Sequence, residues 1–157
     1  MEEKIKELAE LKEIVARLRQ QKKRIVFTNG CFDLIHVGHV RSLAKAKALG
    51  DVLIVGVNSD SSVRQLKGEK RPIMSQDERV ELLSYLEMID YLVIFNETTS
   101  SCLLRELKPD VYVKGGDYTL STLPEWSVVK DYGGEVELVP VVNGCSTSEI
   151  IKKIKGL

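Results

Sequence analysis

Ile5, Leu8, Leu11, Val15 and Leu18 recur three or four residues apart with Glu, Lys and Arg between them. That spacing predicts one apolar stripe on a helix over residues 2 to about 21. The stripe packs either on the rest of the domain or on a second copy of the chain. Thereafter the pattern changes to short apolar runs separated by polar turns. Residues 24–29 read as a first strand, followed by a helix over about 37–49 that Gly50 ends. DVLIVGVNSD, Asp51 to Asp60, is nearly continuously apolar, as in a strand buried on both faces of a parallel sheet. A basic loop, Lys67 to Pro72, leads to Ser75, whose spacing to Glu78 predicts a capping box and a helix to about Met88. Tyr91–Phe95 is a third strand, 99–107 a helix and Asp110–Val113 a fourth strand. Thr122 and Glu125 repeat the cap spacing before a helix to about Tyr132. Val136–Val139 is a fifth strand, and Ser146 with Glu149 opens a last helix.

Strands alternating with helices across short connections predict an α/β fold. The expected form is a Rossmann-like open parallel sheet of five strands with helices on both faces. In such sheets the ligand crevice lies outside the carboxyl ends of the strands, where the strand order reverses. Polar residues gather there: Thr28-Asn29, Asn58-Ser59-Asp60 and Lys114 to Tyr118. The first and fourth strands are the expected neighbours across the switch. With no internal repeat or linker, 157 residues suit one domain, residues 1–22 forming the N-terminal helix and 24–157 the core.

Composition narrows the chemistry. Hydrophobic residues at 43% and charged residues at 29% are ordinary for a soluble protein. A formal net charge of +0 provides no broad footprint for nucleic acid or an anionic membrane, so phosphate binding falls to local clusters. No apolar run approaches the ~20 residues of a membrane span. MEEKIKELAE is too charged for a signal peptide. Cys31, Cys102 and Cys145 show no C-x-x-C spacing, so neither a disulfide nor a zinc framework is indicated. The chain reads as cytoplasmic and reduced.

The chemistry-bearing stretch is TNGCFDLIHVGH, Thr28 to His39, between the first strand and its helix. The first N–H groups of a helix lack internal partners and carry the positive end of its dipole, so such a turn is a ready anion site. His36 and His39 are the only histidines and flank Val37-Gly38. They are either satisfied by backbone groups or donors to a phosphate. Zinc wants three or four ligands, and neither a dinucleotide fingerprint nor a P-loop is present. Two imidazoles at a strand-to-helix turn favour phosphate. From the residues alone, Lys67, beside Lys70 and Arg71, is a solvated loop lysine. Arg79 either faces the crevice or pairs with a neighbouring Glu. Ser146-Thr147-Ser148 cap the last helix and by the same token form an anion site. Gly115-Gly116-Asp117 is a plain turn, or Asp117 reaches a nucleotide sugar or base.

Together with VNSD at 57–60, LKGEKRP at 66–72, ER at 78–79, VKGGDY at 113–118 and GCSTS at 144–148, this stretch resembles the HxGH nucleotidyltransferase superfamily. The cytidylyltransferase-like branch is the one matched. Within it, the ordered set resembles the heptose 1-phosphate adenylyltransferases, the nucleotidyl-transfer half of the bifunctional ADP-heptose synthesis protein. The resemblance implies transfer of AMP from ATP to D-glycero-β-D-manno-heptose 1-phosphate for lipopolysaccharide core synthesis. It implies Mg²⁺ carried by the nucleotide phosphates, with no metal ligand from the protein. His36, His39 and Lys67 are then the catalytic residues, and Gly38 allows close approach. Asn29, Cys31, Phe32, Arg79, Gly116 and Asp117 lie along the nucleotide, and Cys145, Ser146, Thr147 and Ser148 hold its outer phosphates. Asp33 orients the turn or a histidine rather than acting as a base. Cys31 and Cys145 approach each other as free thiols, and Arg71 has no assigned role. Relatives that use CTP place an arginine where this chain has Val141-Val142-Asn143, which argues against CTP. The implied partners are small molecules, a second copy in a homodimer and a separate heptose kinase. The rival readings are cytidylyl transfer to glycerol 3-phosphate or phosphoethanolamine, FAD synthesis, and an ATP-binding regulatory module without turnover.

Overall fold

The computed structural model describes residues 2–140 and 145–157. Among these, five short strands run in parallel: β1 (Ile25–Gly30), β2 (Val52–Asn58), β3 (Tyr91–Phe95), β4 (Val111–Gly115) and β5 (Glu135–Val139). Their order across the sheet is β3-β2-β1-β4-β5, which places the first and fourth strands side by side as expected. The helices are α1 (Leu8–Gln20), α2 (Val37–Lys47), α3 (Asp60–Lys67), α4 (Gln76–Ser84), α5 (Ser101–Leu107), α6 (Trp126–Asp131) and α7 (Thr147–Lys155).

Alternation along the strands sorts the core into two layers. Ile25, Phe27, Ile54, Val93 and Tyr112 point to the face covered by Leu11 and Val15 of α1, Leu103 and Leu104 of α5 and Val129 of α6. Val26, Leu53, Val55, Leu92 and Val113 point to the other face, under Leu43 of α2 and Val80 and Leu83 of α4. Every residue of β2 is buried, which accounts for its continuous apolar run.

The register locates the crevice. β1 pairs with β4 through Val26–Val111, Phe27–Tyr112 and Thr28–Val113. Beyond that point Asn29 and Gly30 pair with Gly56 and Val57 of β2, while Lys114 and Gly115 pair with Leu138 and Val139 of β5. The two central strands therefore part at their carboxyl ends. The Thr28 hydroxyl donates to the Val113 carbonyl at 2.7 Å and closes the last rung below the gap.

Three local expectations are corrected. The first helix begins at Leu8; Glu2–Lys4 form a 3₁₀ turn, and Ile5 makes a parallel bridge to Leu92 while the Lys6 N–H donates to the Leu92 carbonyl at 2.8 Å. Ile5 thus leaves the stripe to extend the edge beside β3. The remaining stripe, with Leu8 and Leu18 packed around buried Leu11 and Val15, lies on the domain and is not left for a second copy. Helix α3 replaces the polar strand end and loop expected there, because the Ser59 hydroxyl accepts from the Ser62 N–H at 3.2 Å and starts a turn. Thr122 does not cap α6: its hydroxyl oxygen accepts from the Thr119 N–H at 2.9 Å inside a separate turn, and Glu125 occupies the cap position without a side-chain cap bond. The Ser75–Glu78 box forms as expected, with reciprocal bonds of 3.3 and 2.9 Å. No described helix is long and apolar enough to cross a membrane.

Because Leu11 is fully buried between α1, α5 and the sheet, Leu11→Ala is expected to lower the unfolding free energy by about 2–5 kcal/mol in urea titrations. A loss below about 0.5 kcal/mol, typical of surface positions, would show that the stripe does not pack on the domain.

Candidate active site

Past Gly30 the backbone enters a turn in which Phe32 (φ 51°) and Leu34 (φ 52°) adopt the left-handed region. Side-chain-bearing residues held there cost on the order of 1 kcal/mol or more each and persist only where neighbours over-determine them. Two buried charged groups do so. The Arg79 guanidinium, fully buried, donates to the carbonyls of Cys31 (2.5 Å), Asn58 (2.7 Å) and Met74 (3.0 Å) and to Asp60 Oδ1 (2.9 Å). The Asp33 carboxylate, 1% exposed, accepts from the N–H groups of Ile73 (2.8 Å) and Met74 (3.0 Å) and from Arg71 Nε (2.8 Å). Burial alone would raise the Asp33 carboxyl, but these donors outweigh it and hold it below the usual carboxylate range. Asp33 therefore orients the turn, as expected, by fastening it to residues 71–74 rather than to a histidine. Arg79 does not line the cleft. It lies buried under the turn with four acceptors, a correction to the crevice-facing placement given to it above.

The histidines cap α2 by a capping box in which imidazoles replace the usual Ser and Glu. His36 Nδ1 accepts from the Gly38 N–H at 3.1 Å, and His39 Nδ1 accepts from the His36 N–H at 3.3 Å. The rings stack with centroids 3.9 Å apart and planes at 27°. With both Nδ1 atoms acting as acceptors, each neutral ring carries its proton on Nε2, which leaves one outward donor per histidine. Burial lowers the pKa of His36. For His39, burial first and then the neighbouring His36 lower it to about 4, against an opposing pull from Asp33. A Cβ at position 38 would meet His36 Cε1 at 2.9 Å and Cys145 Cβ at 3.0 Å, so the close approach requires glycine.

Between the parted strands lies a cleft of about 390 Å³. The structure brings His36, Gly38 and His39 from the α2 terminus together with Cys145, Ser146, Thr147 and Ser148 from the α7 terminus. Ser146 caps α7 by accepting from the Glu149 N–H at 3.1 Å, and the Thr147 hydroxyl donates to the Asp33 carbonyl at 2.5 Å, tying the two helix starts together. Asn29, Cys31 and Phe32 line the same space, as do Lys67 at the end of α3, Arg71, and Gly116 after β4. Asp117 is exposed and outside the lining. Val141-Val142-Asn143 and Gly144 fall outside the described residues.

Ser42, Leu43 and Pro140 also line the cleft and were not singled out. Lys114 and Gly115, placed by the sequence among the residues gathered past the fourth strand, line it as well. Asn29 has an unexpected support: its Oδ1 accepts from the hydroxyls of Tyr112 (2.6 Å) and Ser100 (3.1 Å), so among the described residues its amide nitrogen is the unengaged end. Burial pushes the Tyr112 hydroxyl upward and keeps it a donor. The Cys31 thiol is raised by burial, against the pull of Lys67, Arg79, Arg71 and Lys114, so it remains a thiol and not a nucleophile. Cys31 and Cys145 are both free. No cluster of three or more metal-ligating side chains occurs among the described residues.

A cleft of this form, at the switch point of a parallel sheet, has a match in sequence. A family model for cytidylyltransferase-like proteins matches residues 27–153, and the chain belongs to that family. The chain is 55% identical to the bifunctional protein HldE of Geobacter sulfurreducens over 96% of its own length and 31% of that protein. It is 52% identical to the bifunctional protein HldE of Campylobacter concisus over 98% of its length and 31% of that protein. The chain thus spans about a third of the length of the curated relatives it matches. Among solved structures, it is similar to the lipopolysaccharide core biosynthesis protein from Thermoplasma volcanium, at 30% identity and a TM-score of 0.64 over 76% of this chain and 97% of that one. A pantoate-beta-alanine ligase from Francisella tularensis shares the fold, with 17% identity and a TM-score of 0.65 over 98% of this chain and 78% of that one.

The depressed histidine makes stability depend on pH. With an ordinary pKa of 6.5 when unfolded and about 4 when folded, His39 gains a proton in the unfolded chain first, so stability falls as pH drops through that window. His39→Asn, compared with the parent by denaturant titration at pH 7.5 and pH 4.5, is expected to lose about 1–2 kcal/mol less across that interval, a figure discounted for partial exposure. Parallel pH profiles would place His39 at its ordinary pKa.

Proposed function

We propose that the chain transfers AMP from ATP to D-glycero-β-D-manno-heptose 1-phosphate, forming ADP-heptose and pyrophosphate for lipopolysaccharide core synthesis. The observation that carries this reading is the pair of stacked imidazoles capping α2 beside the capped start of α7, with Lys67 on the same cleft. The high identity to bifunctional HldE proteins and the likeness to a lipopolysaccharide core biosynthesis protein support the acceptor and the pathway.

In the proposed reaction an oxygen of the sugar phosphate attacks the α-phosphorus of ATP in line. The bond from that phosphorus to the bridging oxygen breaks, and pyrophosphate leaves with its electron pair. The attacking phosphate is already anionic, so no general base is needed. What the protein must supply is position and positive charge where the five-coordinate phosphorus and the leaving group build negative charge. The Nε2–H donors of His36 and His39 and the free N–H groups at the starts of α2 and α7 are suited to that task. Asn29, Cys31, Phe32 and Gly116 lie along the nucleotide, with Ser146, Thr147 and Ser148 on its outer phosphates. Asp33 is the only carboxylate lining the cleft among the described residues, and both its oxygens already accept from Arg71, Ile73 or Met74. This donor set fits a Mg²⁺ ion held by nucleotide oxygens and water, which would neutralise phosphate charge when bound. A separate sugar kinase then supplies the 1-phosphate.

Pyrophosphate release is the test. The protein is incubated with each nucleoside triphosphate and with heptose 1-phosphate, glycerol 3-phosphate, phosphoethanolamine or FMN. Turnover is expected with ATP and the heptose phosphate. His36→Ala and His39→Ala are each expected to lower kcat by roughly 10²–10³ with the circular dichroism unchanged. Turnover of CTP with glycerol 3-phosphate would replace the reading, and ATP binding without turnover of any acceptor would leave a regulatory module.

A further inference from the structure

Arg71 lines the cleft beside Lys67 and is held there by the Asp33 carboxylate of the histidine turn. Its side chain is 14% exposed, and its Nε donates to Asp33 Oδ2 at 2.8 Å. Asp33 is itself fixed by two backbone N–H groups, so the guanidinium is held by a partner that cannot swing away. The Nη1 and Nη2 groups have no acceptor among the described residues. Those Nη groups are not among the buried unpaired polar atoms, so they are open to a ligand in the cleft, and a forked guanidinium matches two oxygens of one phosphate. The nearby lining supplies cations and donors instead: Lys67, Lys114 and the outward N–H groups of the histidines.

We infer that Arg71 clamps the phosphate of the second substrate, presented to it by Asp33; this rests on the nucleotidyl-transfer reading above. The triphosphate already has its seat at the starts of α2 and α7. The β4–β5 side of the cleft offers Gly115, Gly116 and Pro140 beside a single cation, Lys114, which leaves room for a base and ribose. The residues that follow β2, on the other side of β1, bring Lys67 and Arg71. In-line attack needs the entering oxygen opposite the leaving pyrophosphate, so a second anion must be drawn against the α-phosphate. Cations on the entering side offset that repulsion, and a fork fixes the direction of approach better than a lysine does. Asp33 acts as a positioning residue: its charge and its two backbone bonds set the plane of the guanidinium.

The test measures initial rates of pyrophosphate release for the parent, Arg71→Ala, Arg71→Lys and Asp33→Asn, with ATP and heptose 1-phosphate varied in turn. Arg71→Ala is expected to raise KM for the sugar phosphate by roughly 30-fold or more. KM for ATP should stay within roughly twofold in the same variant. Arg71→Lys, which keeps the charge and loses the fork, should fall between the parent and Arg71→Ala. Asp33→Asn should raise KM for the sugar phosphate by a larger factor than that for ATP, a split that general loosening of the turn would not produce. ATP binding by calorimetry and a thermal melt check that each variant is folded. An unchanged KM for the sugar phosphate in Arg71→Ala, or an equal rise in KM for ATP, overturns the assignment while the proposed reaction stands. No turnover by the parent overturns the reaction itself, and the assignment with it.

Discussion

A buried guanidinium must find an acceptor for nearly every N–H it carries, because the cost of leaving them unpaired in a low-dielectric interior is large. Arg79 meets that demand from four directions: the end of β1 through Cys31, the end of β2 through Asn58, the start of α3 through Asp60 and the approach to α4 through Met74. Those segments are distant in sequence and adjacent only in the fold. The turn that carries the site is therefore clamped from below by a buried charge outside the cleft lining. Removing it would leave three carbonyls and a carboxylate without their donor at the carboxyl edge of the sheet. The strained positions at Phe32 and Leu34 are tolerable because this clamp and the Asp33 carboxylate act on the same few residues.

With the turn held, the chemistry at its exit follows from capping. A helix start needs acceptors for its first N–H groups, and serine with glutamate usually provide them. Here imidazole nitrogens do so, and the consequence is electronic as well as structural. Committing Nδ1 of each ring to a backbone N–H turns Nε2 into a fixed donor. Burial and the 3.9 Å stacking distance disfavour a proton on both rings at once. The result is a pair of neutral, oriented donors added to the unpaired N–H groups of the helix.

Much of this was legible in the chain and some was not, for separable physical reasons. The apolar run Ile25–Val26–Phe27 of β1 and the longer unbroken run of β2 report burial on both faces directly, so the sheet and its switch point could be read from them. Helix α3 was missed because a helix of eight residues with Val63 and Leu66 as its apolar positions has too little periodicity to register. Arg79 was misread for a different reason. Three of its four acceptors are main-chain carbonyls, and any residue type can supply those. From the residues alone Lys67 and Arg71 read as solvated loop cations; the resemblance moved Lys67 to the site, and the fold brings both to the cleft. Thr122 and Glu125 had the right spacing for a cap, but Glu125 is buried near Ser100 and Tyr112, and tertiary packing overrode the local motif.

The formal net charge of +0 and a cleft built for phosphates are reconciled by where the charges stand. Many of the carboxylates and cations are spread over exposed helix faces, where they are screened and largely independent. In the cleft, Lys67, Arg71 and Lys114 meet one carboxylate, and that carboxylate is already spent on Arg71 and two backbone N–H groups. The local field is therefore positive while the molecule as a whole is neutral. The histidines add donors without adding a fourth and fifth charge, which would repel the lysines and require solvation in the absence of ligand. Neutral imidazoles at the helix start let the cleft remain open and stable when empty, yet present hydrogen bonds at the place where a phosphate would bring its negative charge.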